Sequence, residues 1–211
     1  MQKTLVAMLL VSTVFTLGIR RLDTAVWLIA VQSALLGAIA ATVAYTSDSE
    51  HIYVAAFLTV AIKAILVPWL LIKFIHKLSH KEETQSYFQP VQSLIIACGL
   101  IMLAYDIARS FISNHAILST DTLAASLALV LLGLFVMVGK RHAFMQILGL
   151  LVMENGLYLM AISTARGMPL VVELGIFLDL IVGVVVMGSL LYRINRTFAT
   201  ADTEQLKTLR G

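Results

Sequence analysis

The chain consists almost entirely of apolar runs of about 16–24 residues, separated by short polar interruptions. A run of that length is too long for a buried strand. Coiled as a helix at about 1.5 Å per residue, it crosses a hydrocarbon core of about 30 Å. Membrane barrel strands alternate apolar and polar residues, and these runs do not. Of the residues, 60% are hydrophobic and 13% charged, and the mean hydropathy is +0.94. A soluble domain is nearer half apolar and about a quarter charged. The expected fold is therefore all-α, a polytopic membrane protein of about seven helices.

The expected spans are 4–19, 24–45, 52–75, 90–112, 122–139, 143–163 and 170–192. They divide into a four-helix segment (1–115), a three-helix segment (116–195) and a polar tail (196–211), with the polar stretch 110–122 as the internal boundary. The first run ends in Arg20 and Arg21 without a small-residue cleavage pattern, so it reads as a retained helix rather than a signal peptide. Basic residues gather on alternate loops: Arg20 and Arg21; Lys73, Lys77 and Lys81; Lys140 and Arg141; then Arg193, Arg196, Lys207 and Arg210. The loops between carry Asp48, Glu50, Asp121, Arg166 and Glu173. The positive-inside rule then predicts an outside N-terminus and a cytoplasmic C-terminus. The single Cys98 excludes an internal disulfide and a cysteine-held cluster.

Three charges interrupt the apolar runs. A carboxylate at the centre of a spanning helix costs about 2.5–3.5 kcal/mol on insertion scales, so such groups are functional candidates. Glu154 lies roughly 18 Å along its helix from the basic residues at 140–142, and Asp179 roughly 21 Å from Arg193. The two acids thus fall at similar depth on consecutive antiparallel helices. Low dielectric favours the neutral carboxyl until it is wetted or paired, which is the behaviour a proton relay needs. The alternative is a protonated acid that only hydrogen-bonds a neighbouring helix. Asn155 and Tyr158 flank Glu154 and can orient it or hold a water. Gly175, Asp179 and Gly183 share one helical stripe, which predicts close approach of another backbone around the acid. Lys63 is the third charge, with Pro68 five residues on to free a backbone carbonyl. It could exchange protons, or pair with an acid of another subunit.

Asp106 and Arg109, spaced by three, read as an ion pair on the helix surface or as part of an exit path. His76 and His80 have metal-compatible spacing but no adjacent third ligand. Trp27, Trp69 and Tyr192 fall near span ends as interface anchors. No phosphate loop, nucleophile triad or cofactor motif occurs, so no catalytic, cofactor or metal site is expected.

The last three helices resemble the small K-type membrane subunit of respiratory complex I. In that family a buried glutamate stands in the second helix and another in the third. MENGLYLMAI places Glu154 at the first position. Asp179-Leu-Ile-Val-Gly183, followed by VVVMGSLLYRINR, fits the second, with aspartate in place of glutamate. The ending LKTLRG resembles the family's polar tail, and the likeness covers about 122–211. A K-type subunit is about half as long. With four further N-terminal helices, the chain resembles the E-type membrane subunit of hydrogenase-4, found in group 4 membrane-bound nickel–iron hydrogenases and formate hydrogenlyases. The shorter Asp179 reaches less far than glutamate, and no role for Lys63 transfers from the K-type likeness. The resemblance implies a noncatalytic subunit of an oxidoreductase complex in a bacterial or archaeal cytoplasmic membrane. It would pass protons through Glu154 and Asp179 between H-type and antiporter-like membrane subunits, and Lys63 joins that expected relay on its central charge and the neighbouring proline alone. Its contact with the soluble hydrogenase arm would be indirect, and no nucleic-acid partner is implied. Two alternatives remain: a scaffold without proton transfer, and a subunit of a multisubunit cation/proton antiporter.

Overall fold

The computed structural model describes residues 2–19, 21–47, 57, 60–77, 87–112, 120–140, 143–165 and 183. Every element among them is helical. These are α1 (Gln2–Gly18), α2 (Leu22–Ser47), a π-helical turn π1 (Val60–Leu66) that runs into α3 (Val67–Lys77), α4 (Pro90–Ile112), α5 (Thr120–Gly139) and α6 (Ala143–Ala165). In hydrocarbon a helix satisfies its own backbone groups, and long runs of Leu, Ala, Val and Ile leave no better arrangement.

The helix ends follow local chemistry. Pro90 opens α4, where a missing N–H costs nothing. Asp23 and Asp121 stand in the first turns of α2 and α5, where a negative charge meets the positive end of the helix dipole. Glycine is the last residue of both α1 and α5, immediately ahead of basic loops.

Four helices among the described residues are long and apolar enough to cross a membrane: Leu22–Tyr45, Pro90–Ser110, Asp121–Gly139 and Phe144–Ile162. α1 is apolar but shorter. The expected third span is described only in part and includes a π-helical turn, and the expected seventh, Gly183 apart, lies outside the described residues.

α5 and α6 form the closest pair. A Cβ added at Gly149 would lie 2.8 Å from Gly133 O, and one at Gly156 would lie 2.8 Å from Ser126 O and from Leu129 Cβ. Here two helix backbones meet with nothing between them, as small residues permit in membranes. The approach that the sequence predicts around Asp179 falls on residues outside the described ones.

On its other side α5 packs with α4 and α1 through Leu17, Ala97, Leu132 and Val136. α2 packs against α1, π1, α3 and α6. Three contacts fix which helix ends share a side. Lys3 Nζ pairs with Asp121 Oδ2 at 2.9 Å, joining the starts of α1 and α5. Lys140 Nζ donates to Leu17 O at 3.2 Å, joining their ends. Tyr87 N donates to Gly139 O at 3.0 Å, bringing the approach to α4 beside the end of α5. Lys140, expected among the charges of a basic loop, is in fact buried and satisfies a terminal carbonyl of α1, a favourable site for a cation.

Candidate functional site

α6 has two distinct faces. Gly149 and Gly156 are seven residues apart and lie on one stripe, turned toward α5. Glu154 is two positions from Gly156, which at about 100° per residue puts it nearly opposite. That second face carries Glu154, Asn155 and Tyr158, all buried. Residues three and four apart neighbour one another on a helix, so the three form one patch.

Lys63 reaches this patch from π1. Its Nζ lies 3.5 Å from Glu154 Oε1, 3.4 Å from Asn155 Oδ1 and 5.7 Å from the centroid of the Tyr158 ring. Lys63 is 4% exposed and Glu154 2%. The ammonium thus meets a carboxylate, an amide carbonyl and an aromatic face, a set that suits a cation with three N–H donors. Taking both charges out of water is costly, and their attraction offsets this only with good geometry and further hydrogen bonds. Asn155 and Tyr158 provide that support.

The π-helical turn has a local cause. Pro68 has no N–H, and its ring crowds the carbonyl four residues earlier, at Ala64. Ala64 lies within π1. A wider turn relieves that crowding and changes the direction of side chains before it; such turns are frequent at functional sites. The sequence announces the proline but not the π-helical register that accompanies it.

The other candidates are placed as follows. Asp179 lies outside the described residues, as does His80. Asp106 and Arg109 are both exposed on α4 and make no ion pair with each other, contrary to the surface pair that their spacing predicts. Spacing by three makes such a pair possible, but two flexible side chains gain little from it at an exposed site. Among the described residues no group of three His, Cys, Asp or Glu side chains could hold a metal. Trp27 and Trp69 are exposed, with Lys73 Nζ 5.0 Å from the Trp69 ring centroid. Sequence reasoning missed Gln32, a buried amide inside the apolar α2 whose Nε2 donates to Thr16 Oγ1 at 3.1 Å. Its signal was a polar residue in the middle of AVWLIAVQSALLGAIA. The spacing of Gly149 and Gly156 was a second signal left unread.

Residues 121–211 match the family model described as NADH-ubiquinone/plastoquinone oxidoreductase chain 4L. Over nearly its whole length the chain is similar to the uncharacterized protein Rv0085 of Mycobacterium tuberculosis, at 31% identity over 203 residues, 96% of this chain and 92% of that one. It is similar to hydrogenase-4 component E of Escherichia coli at 28% identity over 210 residues, 98% of this chain and 96% of that one. No solved structure matches. The likeness to component E takes in π1 and α3 as well as α5 and α6, and the 4L match begins at the start of α5. The chain therefore belongs to the family of hydrogenase-4 E-type membrane subunits, with a C-terminal part of the chain 4L, or K, type.

Proposed function

We propose that this chain is a noncatalytic membrane-arm subunit of a complex I-like hydrogenase, in which the Lys63–Glu154 pair and Asp179 move protons between neighbouring membrane subunits. The observation that carries the reading is the buried pair itself, with Nζ and Oε1 3.5 Å apart. One partner comes from the N-terminal helices and the other from the 4L-like part. A pair needed only to hold two helices together could be replaced by apolar residues of similar volume, often without loss of stability. A titratable pair in low dielectric can instead take up or release a proton when a neighbouring charge or water arrives. Glu154 is the group that accepts and gives the proton. Lys63 sets which form Glu154 takes, and Asn155 and Tyr158 hold the ammonium in place. Asp179, at matched depth by sequence, is the next acid in line. The neighbours are an H-type subunit and antiporter-like subunits, the soluble arm is reached through them, and the C-terminus is cytoplasmic.

The test is a set of neutral variants in the intact complex. Glu154→Gln and Asp179→Asn keep size and hydrogen bonding but remove the titratable proton. Each should leave assembly and hydrogen oxidation with artificial electron carriers near normal while impairing proton-coupled turnover in sealed vesicles. Normal coupling in both single variants ends the proposal, and failure to assemble in both supports the scaffold alternative.

A further inference from the structure

Gln32 is fully buried, and the amide orientation is fixed by its partner. Thr16, also fully buried, donates its hydroxyl proton to Ser12 O at 3.0 Å. A hydroxyl has one proton to give, so Gln32 must turn its NH2 toward Thr16 and its carbonyl away. That carbonyl oxygen has no hydrogen-bond partner among the described residues. Asn155 is its complement. Its Oδ1 accepts from Lys63, which offers only donors, so Nδ2 points elsewhere, buried and without a partner among the described residues. Buried amides in proteins are satisfied by protein or by ordered water, and water is both the donor that Gln32 needs and the acceptor that Asn155 needs.

Both amides lie well inside their helices. α2 and α6 start from the same end of the bundle, where Lys140 ties the end of α5 to the end of α1. Gln32 is about 15 Å along α2 from Leu22, and Asn155 about 18 Å along α6 from Ala143. α2 packs against both π1 and α6, the two elements that Lys63 connects. Thr16 stands in the last turn of α1, next to the carbonyl that Lys140 caps.

We infer that Thr16 and Gln32 line a hydrated proton inlet that joins the Lys63–Glu154 pair to the end of the bundle where α1 and α5 terminate, with water held between Gln32 and Asn155. The inlet rests on the proton-transfer reading of that pair. An excess proton enters from bulk solvent, passes along the held water and is delivered to the pair. The Gln32 amide keeps its own protons throughout, so it is a positioning residue and neither an acid nor a base.

The experiment is radiolytic hydroxyl footprinting of the purified complex, in which radicals form from bound water and label the side chains beside it. Tyr158, buried against Lys63, should be labelled. Met145, fully buried on the same helix and more easily oxidised, should stay unlabelled. Gln32→Met keeps the side-chain length but removes both amide groups. It should reduce the Tyr158 label severalfold and slow proton-coupled turnover severalfold, with artificial-carrier activity unchanged. Thr16→Val, which frees the Gln32 amide, should move both readouts the same way by less. A wild-type complex with no label on Tyr158 overturns the inlet without any variant having to fold. Unchanged coupling in Gln32→Met also overturns it. Normal coupling in Glu154→Gln is the distinct failure of the underlying reading, recognised by a Tyr158 label that still depends on Gln32.

Discussion

Lys63 and Glu154 stabilise each other only as long as both are present. Removing the ammonium takes the counter-charge from a buried carboxyl and the donor from the Asn155 amide carbonyl, and an unsatisfied buried acceptor alone costs about 1–3 kcal/mol. Lys63→Met is therefore expected to lower the thermal midpoint of the detergent-solubilised complex and to slow proton-coupled turnover, while the complex still assembles. The double variant Lys63→Met with Glu154→Gln should cost less than the two singles combined, with a coupling on the order of 0.5–3 kcal/mol. Strict additivity would mean that the 3.5 Å contact contributes nothing. Both charges were visible in the sequence as interruptions of apolar runs. Their meeting was not, because the two residues are far apart in the sequence and a hydrophobic pattern gives no partner for a charge. The hydrogen bond from Gln32 to Thr16 was hidden for the same reason: the burial of an amide is a property of the bundle, not of its own helix.

The two faces of α6 make separate demands on the helix. Its glycine face has no room for a side chain, so Gly149→Val and Gly156→Val must push α6 away from α5. Overpacking a tight contact costs typically about 1–3 kcal/mol, and here the obstacle is backbone, which cannot turn aside. Both variants should reduce the yield of assembled complex. Gly99→Val on α4, where an added Cβ meets nothing within 4 Å, should leave the yield unchanged and serves as the control. The π-helical turn gives a second prediction at this level. Pro68→Ala restores an N–H and removes the crowding at Ala64, so an ordinary α-helical register becomes available. Closing the turn would rotate Lys63 away from Glu154. The expected result is an assembled complex with reduced proton coupling, resembling Lys63→Met. Wild-type coupling in Pro68→Ala would mean that the turn is held by its packing against α2 and not by the proline. Helix extents were the most legible part of the fold. The run expected at 90–112 is α4, Pro90–Ile112, and that expected at 143–163 is α6, Ala143–Ala165. An apolar run bounded by proline or by charges leaves little freedom at its ends. The register change inside π1 has no such marker, because it alters the number of residues per turn without altering which residues are apolar.

The contacts at the helix ends tie the bundle together as an alternating series. Lys3 with Asp121 places two helix starts on one side, and Lys140 with Leu17 places two helix ends on the other. This agrees with the order in which basic loops alternate along the sequence, but internal contacts fix only relative direction. Absolute direction comes from the distribution of Lys and Arg, which is set against the membrane and not against the protein. Arg20, Arg21 and Lys140 lie at or just beyond the ends of α1 and α5, while Asp121 stands in the first turn of α5. The bundle end that carries Lys140 is therefore expected to face the cytoplasm, which would make the Thr16–Gln32 inlet a cytoplasmic one and the N-terminus external. Single cysteines introduced at Ser49 and His80 in a Cys98→Ala background test this, since the introduced thiol is then the only one in the chain. On intact cells an impermeant thiol reagent should label position 49 and spare position 80, and on inside-out vesicles the pattern should reverse. Labelling of position 80 but not 49 on intact cells would invert the whole bundle. The Lys63–Glu154 pair would remain intact in that case, but protons would reach it from the outer face, and the direction of transfer through Gln32 would reverse with it.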